Sequence, residues 1–195
     1  MSLLPEVMAI AGPNGSGKTT VTSLAQLRGT YVNADDIKRA THCTDIEAAV
    51  RAEELREGLL ASGENFTFET VLSTPRNLEL LRRAGERGYF VRCIYVLTAS
   101  PDINVARVRA REMSGGHGVP EEKVRTRYYR ALSLISSVVE ASDVMHMYDN
   151  SGDVPFRIFK KRKSEFFAAE SEFWSLEDVS RLTGVWDLRP FPVTR

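Results

Sequence analysis

Residues 12–19 read Gly12-Pro13-Asn14-Gly15-Ser16-Gly17-Lys18-Thr19. The octet fits G-x-x-x-x-G-K-[ST], a loop whose glycines let successive backbone N–H groups turn inward around phosphate oxygens. A continuous apolar run at residues 7–11 precedes it and a helix-compatible stretch at residues 18–27 follows. Strand, glycine-rich turn and helix N-terminus in that order make a phosphate cradle. Gly12 to Thr20 are therefore the expected nucleotide-binding set, with Lys18 reaching the β- and γ-phosphates and the Thr19 hydroxyl as Mg²⁺ ligand.

Outward from the loop, short apolar runs alternate with longer amphipathic ones, which predicts α/β with a mainly parallel sheet. Strands are expected at residues 30–33, 65–70, 89–97 and 144–148, and helices at 45–61, 75–87, 101–111 and from Pro120 through Ile135. Residues 114–118 form a glycine-rich break. Residues 156–162, with Arg157 to Lys163 reading RIFKKRK, are expected to be an edge strand protected by lysine. The tail from 165 to 184 reads as irregular or helical, its Phe166, Phe167, Phe173 and Trp174 anchoring it on the core or docking a partner.

The chain has 195 residues, 43% of them hydrophobic and 27% charged, with 26 basic against 26 acidic side chains. That length is expected to make one domain over 1–195, and it needs no disulfide or metal staple. Balanced charge argues against a broad electrostatic footprint for nucleic acid or an acidic membrane. No apolar run approaches a membrane span, the start lacks the pattern of a signal peptide, and Cys43 and Cys93 show no CxxC spacing. A cytoplasmic location is the expectation. His42, Cys43 and His146 have no partners at metal-ligand spacing.

A phosphate loop fixes a nucleotide, not a reaction. A GTP switch would need an NKxD-type element, which is absent. Ser114-Gly115-Gly116-His117 resembles the LSGGQ signature of ABC transporters, but no apolar strand ending in Asp-Glu follows it. A small-molecule kinase has positive support. Asp35 and Asp36 follow the second strand, at the carboxyl end where open α/β sheets bind ligands, and one of them can accept an acceptor hydroxyl's proton. Either can also serve as a helix N-cap. Glu69, at the end of the third strand, faces the same crevice or lies exposed. Arg107, Arg109 and Arg111 precede the glycine break, and Arg125, Arg127 and Arg130 follow it. Two arginine-bearing helices around a loop make a lid over about 107–130 that can aim guanidinium groups at a transferring phosphoryl. Part of this set is expected to be an ordinary solvated face. Arg111 and Arg127 are selected.

The segments GPNGSGKTT, VNADDI, FTFETVLS, ARVRAREMSGGHGVPEEKVRTRYYRAL and MYDNSG, in that order over residues 6–153, resemble the zeta-toxin-like P-loop kinases, in particular their chromosomal branch. The resemblance implies a three-layer α/β sandwich and an ATP- and Mg²⁺-dependent kinase of a sugar hydroxyl, for the toxins proper that of UDP-N-acetylglucosamine. It implies Lys18, Asp35, Arg111 and Arg127 as catalytic residues and Glu69 and Thr70 on the acceptor side, with His117 either touching the acceptor or shaping the lid. It also implies that Asp149-Asn150-Ser151 lies near the adenine. The chain is shorter than the plasmid toxins and lacks an obvious antitoxin-binding region, so an antitoxin partner is implied only by the family. The rival reading is a nucleotide-binding regulatory module that works through a protein partner and transfers no phosphoryl group.

Overall fold

The computed structural model describes residues 4–23, 25–116 and 118–192. Its strands are β1 (Glu6–Ala11), β2 (Thr30–Val32), β3 (Phe66–Thr70), β4 (Phe90–Leu97), β5 (Val144–Asp149), β6 (Phe156–Arg162), β7 (Glu165–Ala168) and β8 (Arg189–Pro190). The helices are α1 (Lys18–Thr22), α2 (Ala34–Thr41), α3 (Asp45–Ser62), α4 (Pro75–Glu86), α5 (Pro101–Met113), α6 (Glu121–Ser133), α7 (Ile135–Ala141) and α8 (Leu176–Thr183).

All eight strands form one sheet in the order β2-β3-β1-β4-β5-β6-β7-β8. The first five are parallel, β6 and β7 run antiparallel to their predecessors, and β8 is parallel to β7. This is the mixed, mostly parallel α/β fold expected. Val7 to Ala11 are buried without alternation, because a central parallel strand is covered on both faces. The core runs from Phe66, Phe68 and Tyr95 through Met145 and Met147 to Phe159 and Val179, so the C-terminal elements share it.

Local chemistry sets the helix starts. Thr44 and Glu47 form a capping box on α3, Ser175 and Asp178 another on α8, and Pro75 and Pro101 open α4 and α5. These devices satisfy first-turn N–H groups that have no intrahelical partner.

Four expectations change. The helix after the phosphate loop is α1, five residues long, instead of 18–27. Its Thr-Thr-Val-Thr composition is β-branched or hydroxylated, and Thr22 Oγ1 bonds back to the Lys18 carbonyl at 2.9 Å, a competition that weakens short helices. The helix from Pro120 stops at Ser133, and the apolar face continues in α7 after Leu134. The strand at 156–162 is internal, since β7 pairs its far side. Lys161 is no edge guard: its ammonium donates to the Val139 carbonyl at 2.6 Å, at the C-terminal end of α7, where cations are favoured. The tail holds strands β7 and β8 besides helix α8, with Phe166 stacked on Phe159 at 6.3 Å and Trp174 packed against the core.

Candidate active site

The carboxyl ends of β1, β2 and β3 open into a cavity of about 600 Å³ roofed by α3, α5 and α6. Every feature of its floor follows from the octet after β1. Gly15 and Gly17 adopt φ of +78° and +85°, left-handed values that a side chain resists. Space is also closed behind them: a Cβ would lie 2.4 Å from the Asn104 carbonyl oxygen at Gly15 and 2.1 Å from Asn150 Nδ2 at Gly17.

Those two asparagines brace the loop from outside. Asn104 Nδ2 donates to the Asn14 carbonyl at 2.6 Å and Asn150 Nδ2 to the Ser16 carbonyl at 2.8 Å. Both asparagines are buried. Arg107 Nη1 in turn donates to the Asn150 carbonyl at 2.7 Å. Asp149 accepts from the Ser151 N–H at 3.0 Å and from Ser171 Oγ at 2.8 Å. The Asp149-Asn150-Ser151 segment is thus tied to the back of the loop.

Lys18 is 8% exposed and bent back over its own loop. Its ammonium donates to the carbonyls of Gly12 at 2.8 Å and Pro13 at 3.1 Å and lies 3.9 Å from Glu69 Oε1. Burial holds its pKa below the usual lysine value, with Glu69 and Asp35 opposing that shift and Arg111 adding to it.

Asn33, and neither Asp35 nor Asp36, caps α2, accepting the Asp35 N–H at 2.8 Å. Asp35 is exposed to the cavity, and no hydrogen bond or ion pair among the described residues engages its carboxylate. Glu69, half-buried, accepts from Tyr31 OH at 3.1 Å. Thr70 lines the same cavity, but its hydroxyl already accepts the Leu72 N–H at 2.9 Å and Asn77 Nδ2 at 2.8 Å.

The opposite wall carries Arg107 and Arg111 from α5 and Lys123 and Arg127 from α6. Arg127 Nη1 reaches Asn14 Oδ1 at 3.3 Å. Arg109 and Arg125 instead pair with Glu121, and Arg125 also with Asp102 at 2.7 Å. They fasten α5 to α6. Thus Lys18, Thr19, Asp35, Glu69, Thr70, Arg111 and Arg127 come together around one space. His117 lies outside the described residues. Arg107 and Lys123 were not selected from sequence, although each stands four residues before a selected arginine and so shares its face. A second cavity of about 420 Å³ adjoins the first between α5 and α6, with Val105, Val108 and Val124 among its walls. It holds no strand-end carboxylate.

The buried Ser16 hydroxyl has no hydrogen-bond partner among the described residues, and the first-turn N–H groups of α1 lack intrahelical partners by geometry. Such a loop is a polar surface complementary to an anion, and nucleotide phosphates fit it. No group of three His, Cys, Asp or Glu able to hold a metal occurs among the described residues. Thr19 lines the cavity beside Lys18, where its hydroxyl could contribute one oxygen to a Mg²⁺ ion brought in by phosphates.

A phosphate loop on a mostly parallel sheet, facing strand-end carboxylates beneath an arginine-bearing helix pair, defines a P-loop kinase fold. The zeta toxin family model matches residues 2–161, and the chain belongs to that family. A protein of Haemophilus influenzae is 32% identical over 123 residues, 60% of this chain and 88% of that one. The AvrRxo1-ORF1:-ORF2 complex solved with ATP superposes with a TM-score of 0.71 at 15% identity, covering 93% of this chain and 64% of that chain. The chain thus spans less than two thirds of that protein's length. A structure of the PezAT chromosomal toxin–antitoxin system of Streptococcus pneumoniae gives 0.57 at 17% identity, covering 79% and 72%. The family and fold support an ATP-dependent phosphotransferase in general. Among the described residues no helix is long and apolar enough to cross a membrane.

Proposed function

We propose that this chain uses ATP and Mg²⁺ to phosphorylate a hydroxyl of a sugar or nucleotide sugar such as UDP-N-acetylglucosamine. The observation that carries the reading is the Asp35 carboxylate, engaged by no hydrogen bond or ion pair among the described residues, in the same cavity as Lys18 and Thr19. A nucleotide store needs the loop but has no use for such a carboxylate.

Asp35 accepts the proton of the acceptor hydroxyl as its oxygen attacks the γ-phosphorus and ADP departs. Lys18, Arg111 and Arg127 neutralise charge on the transferring phosphoryl oxygens, a role for which the two guanidinium forks are suited. Mg²⁺, which the Thr19 hydroxyl would help to hold, would supply positive charge that offsets the phosphate charge. Glu69, Thr70 and His117 are assigned to the acceptor side, and the adenine to the neighbourhood of Asp149-Asn150-Ser151. A cytoplasmic location and one domain over 1–195, with a lid at about 107–130 and a C-terminal extension at about 155–195, complete the reading. An antitoxin partner is part of it, supported by the toxin–antitoxin system among the structural relatives.

The test is incubation with ATP, Mg²⁺ and a panel of sugars and UDP-sugars, reading a gain of about 80 Da on the acceptor. Asp35→Asn should lower turnover roughly 10²-fold or more while ATP binding stays within about two-fold. ATP binding without a gain on any acceptor would favour the non-catalytic module. Turnover unchanged in Asp35→Asn would remove the base assignment.

A further inference from the structure

Asn33 uses both ends of its side-chain amide. Its Oδ1 accepts the Asp35 N–H at 2.8 Å and caps α2, fixing the helical turn from which Asp35 projects. Its Nδ2 donates to Tyr31 OH at 3.1 Å and, at 3.4 Å, to Glu69 Oε2. The Tyr31 hydroxyl donates its own hydrogen bond to that same Glu69 oxygen at 3.1 Å. One carboxylate oxygen of Glu69 is thus occupied from β2, while Oε1 faces Lys18 at 3.9 Å.

All three side chains are half-buried, where hydrogen bonds to a charged group are stronger than in water. The Tyr31 phenol has its pKa pushed up to about 12, chiefly by burial, so it remains a donor throughout the neutral range. Strand pairing sets the geometry. Tyr31 and Val32 lie opposite Thr67 and Phe68 in the parallel β2–β3 ladder, which brings the end of β2 alongside Glu69 and places Asp35 one turn beyond.

We propose that Tyr31 and Asn33 are positioning residues that hold Glu69 in one rotamer at a fixed offset from Asp35, leaving Glu69 Oε1 as the face offered to the acceptor. This rests on the kinase reading of the site. Without the two donors a glutamate on a strand end samples several rotamers, and a carboxylate displaced by about 1 Å loses much of its value in a reacting complex.

Tyr31→Phe should lower kcat about 10-fold with the KM for ATP within about two-fold. Asn33→Ser, which keeps an N-capping oxygen, should lower kcat similarly. In a Glu69→Ala background, Tyr31→Phe should change kcat by less than about two-fold, because groups acting through one residue are not additive. An equal loss in both backgrounds, or an effect on KM alone, overturns the proposal. A crystal structure of Tyr31→Phe gives a readout independent of turnover. A rotated or disordered Glu69 carboxylate supports the proposal, and an unmoved one overturns it. If the unmodified protein phosphorylates no acceptor, the kinase reading fails, and the crystal structure still decides whether Tyr31 positions Glu69.

Discussion

The Lys18 ammonium sits 3.9 Å from Glu69 Oε1 while donating to the Gly12 and Pro13 carbonyls. A buried cation satisfied by its own loop is held where phosphate oxygens would replace those carbonyls. Burial disfavours its charge, and Glu69 and Asp35 restore part of it. Removing the cation alone relieves its desolvation but leaves the Gly12 and Pro13 carbonyls and the Glu69 carboxylate without that partner, so the net effect on the free protein is destabilising.

Lys18→Met should therefore lower the unfolding midpoint of the free protein. The midpoint increase given by MgATP in the parent should shrink by most of its size, since ligand stabilisation follows affinity. Scanning both proteins with and without MgATP checks this. An undiminished MgATP effect in Lys18→Met would exclude contact between Lys18 and the nucleotide.

Arg127 and Arg125 sit two residues apart on α6 and differ in what they touch. Arg127 reaches Asn14 Oδ1 at 3.3 Å in the phosphate loop, whereas Arg125 is held by Asp102 and Glu121 on the outer side of the helix pair. Arg127→Lys keeps the charge and loses the fork, so kcat for phosphoryl transfer should fall about 10-fold or more. Arg125→Lys should stay within about two-fold, because exposed ion pairs contribute little. Steady-state kinetics on both variants decide, and equal effects would mean that α6 acts as a charged surface without a directed guanidinium.

The octet at residues 12–19 was legible because its chemistry is local: glycine conformations, a lysine and a hydroxyl within one turn. The mainly parallel character of the sheet followed from the alternation of short apolar runs with amphipathic ones; the strand order did not. What was not legible depends on pairing across the sheet. RIFKKRK reads as an edge until β7 is seen beside it, and the β7 segment Glu-Phe-Phe-Ala is too short to announce itself. Asn33 reads as an ordinary residue before Ala-Asp-Asp, and only the β2–β3 register brings it to Glu69. Arg107 was visible at the correct spacing from Arg111, yet spacing alone does not separate a cavity face from a solvated one.

His146, on β5, tests the electrostatics of the second half of the sheet. Burial, then Arg157, Lys160 and Arg92, lower its pKa to about 4 from the ordinary histidine value of 6.5. The native state consequently binds fewer protons than the unfolded chain between those two values. Stability must then rise with pH across that window and fall as pH drops through it. The contribution is fully present above about pH 6.5 and is lost progressively toward pH 4. His146→Gln removes the titrating group while keeping a polar side chain of similar reach. Urea midpoints measured from about pH 4 to pH 7 should therefore slope less steeply in His146→Gln than in the parent, with the two curves parallel above about pH 7. Identical slopes below pH 6.5 would show that His146 titrates at its ordinary value and that the three cations do not act on it. A reduced slope would show that the His146 titration contributes to the acid sensitivity of the fold.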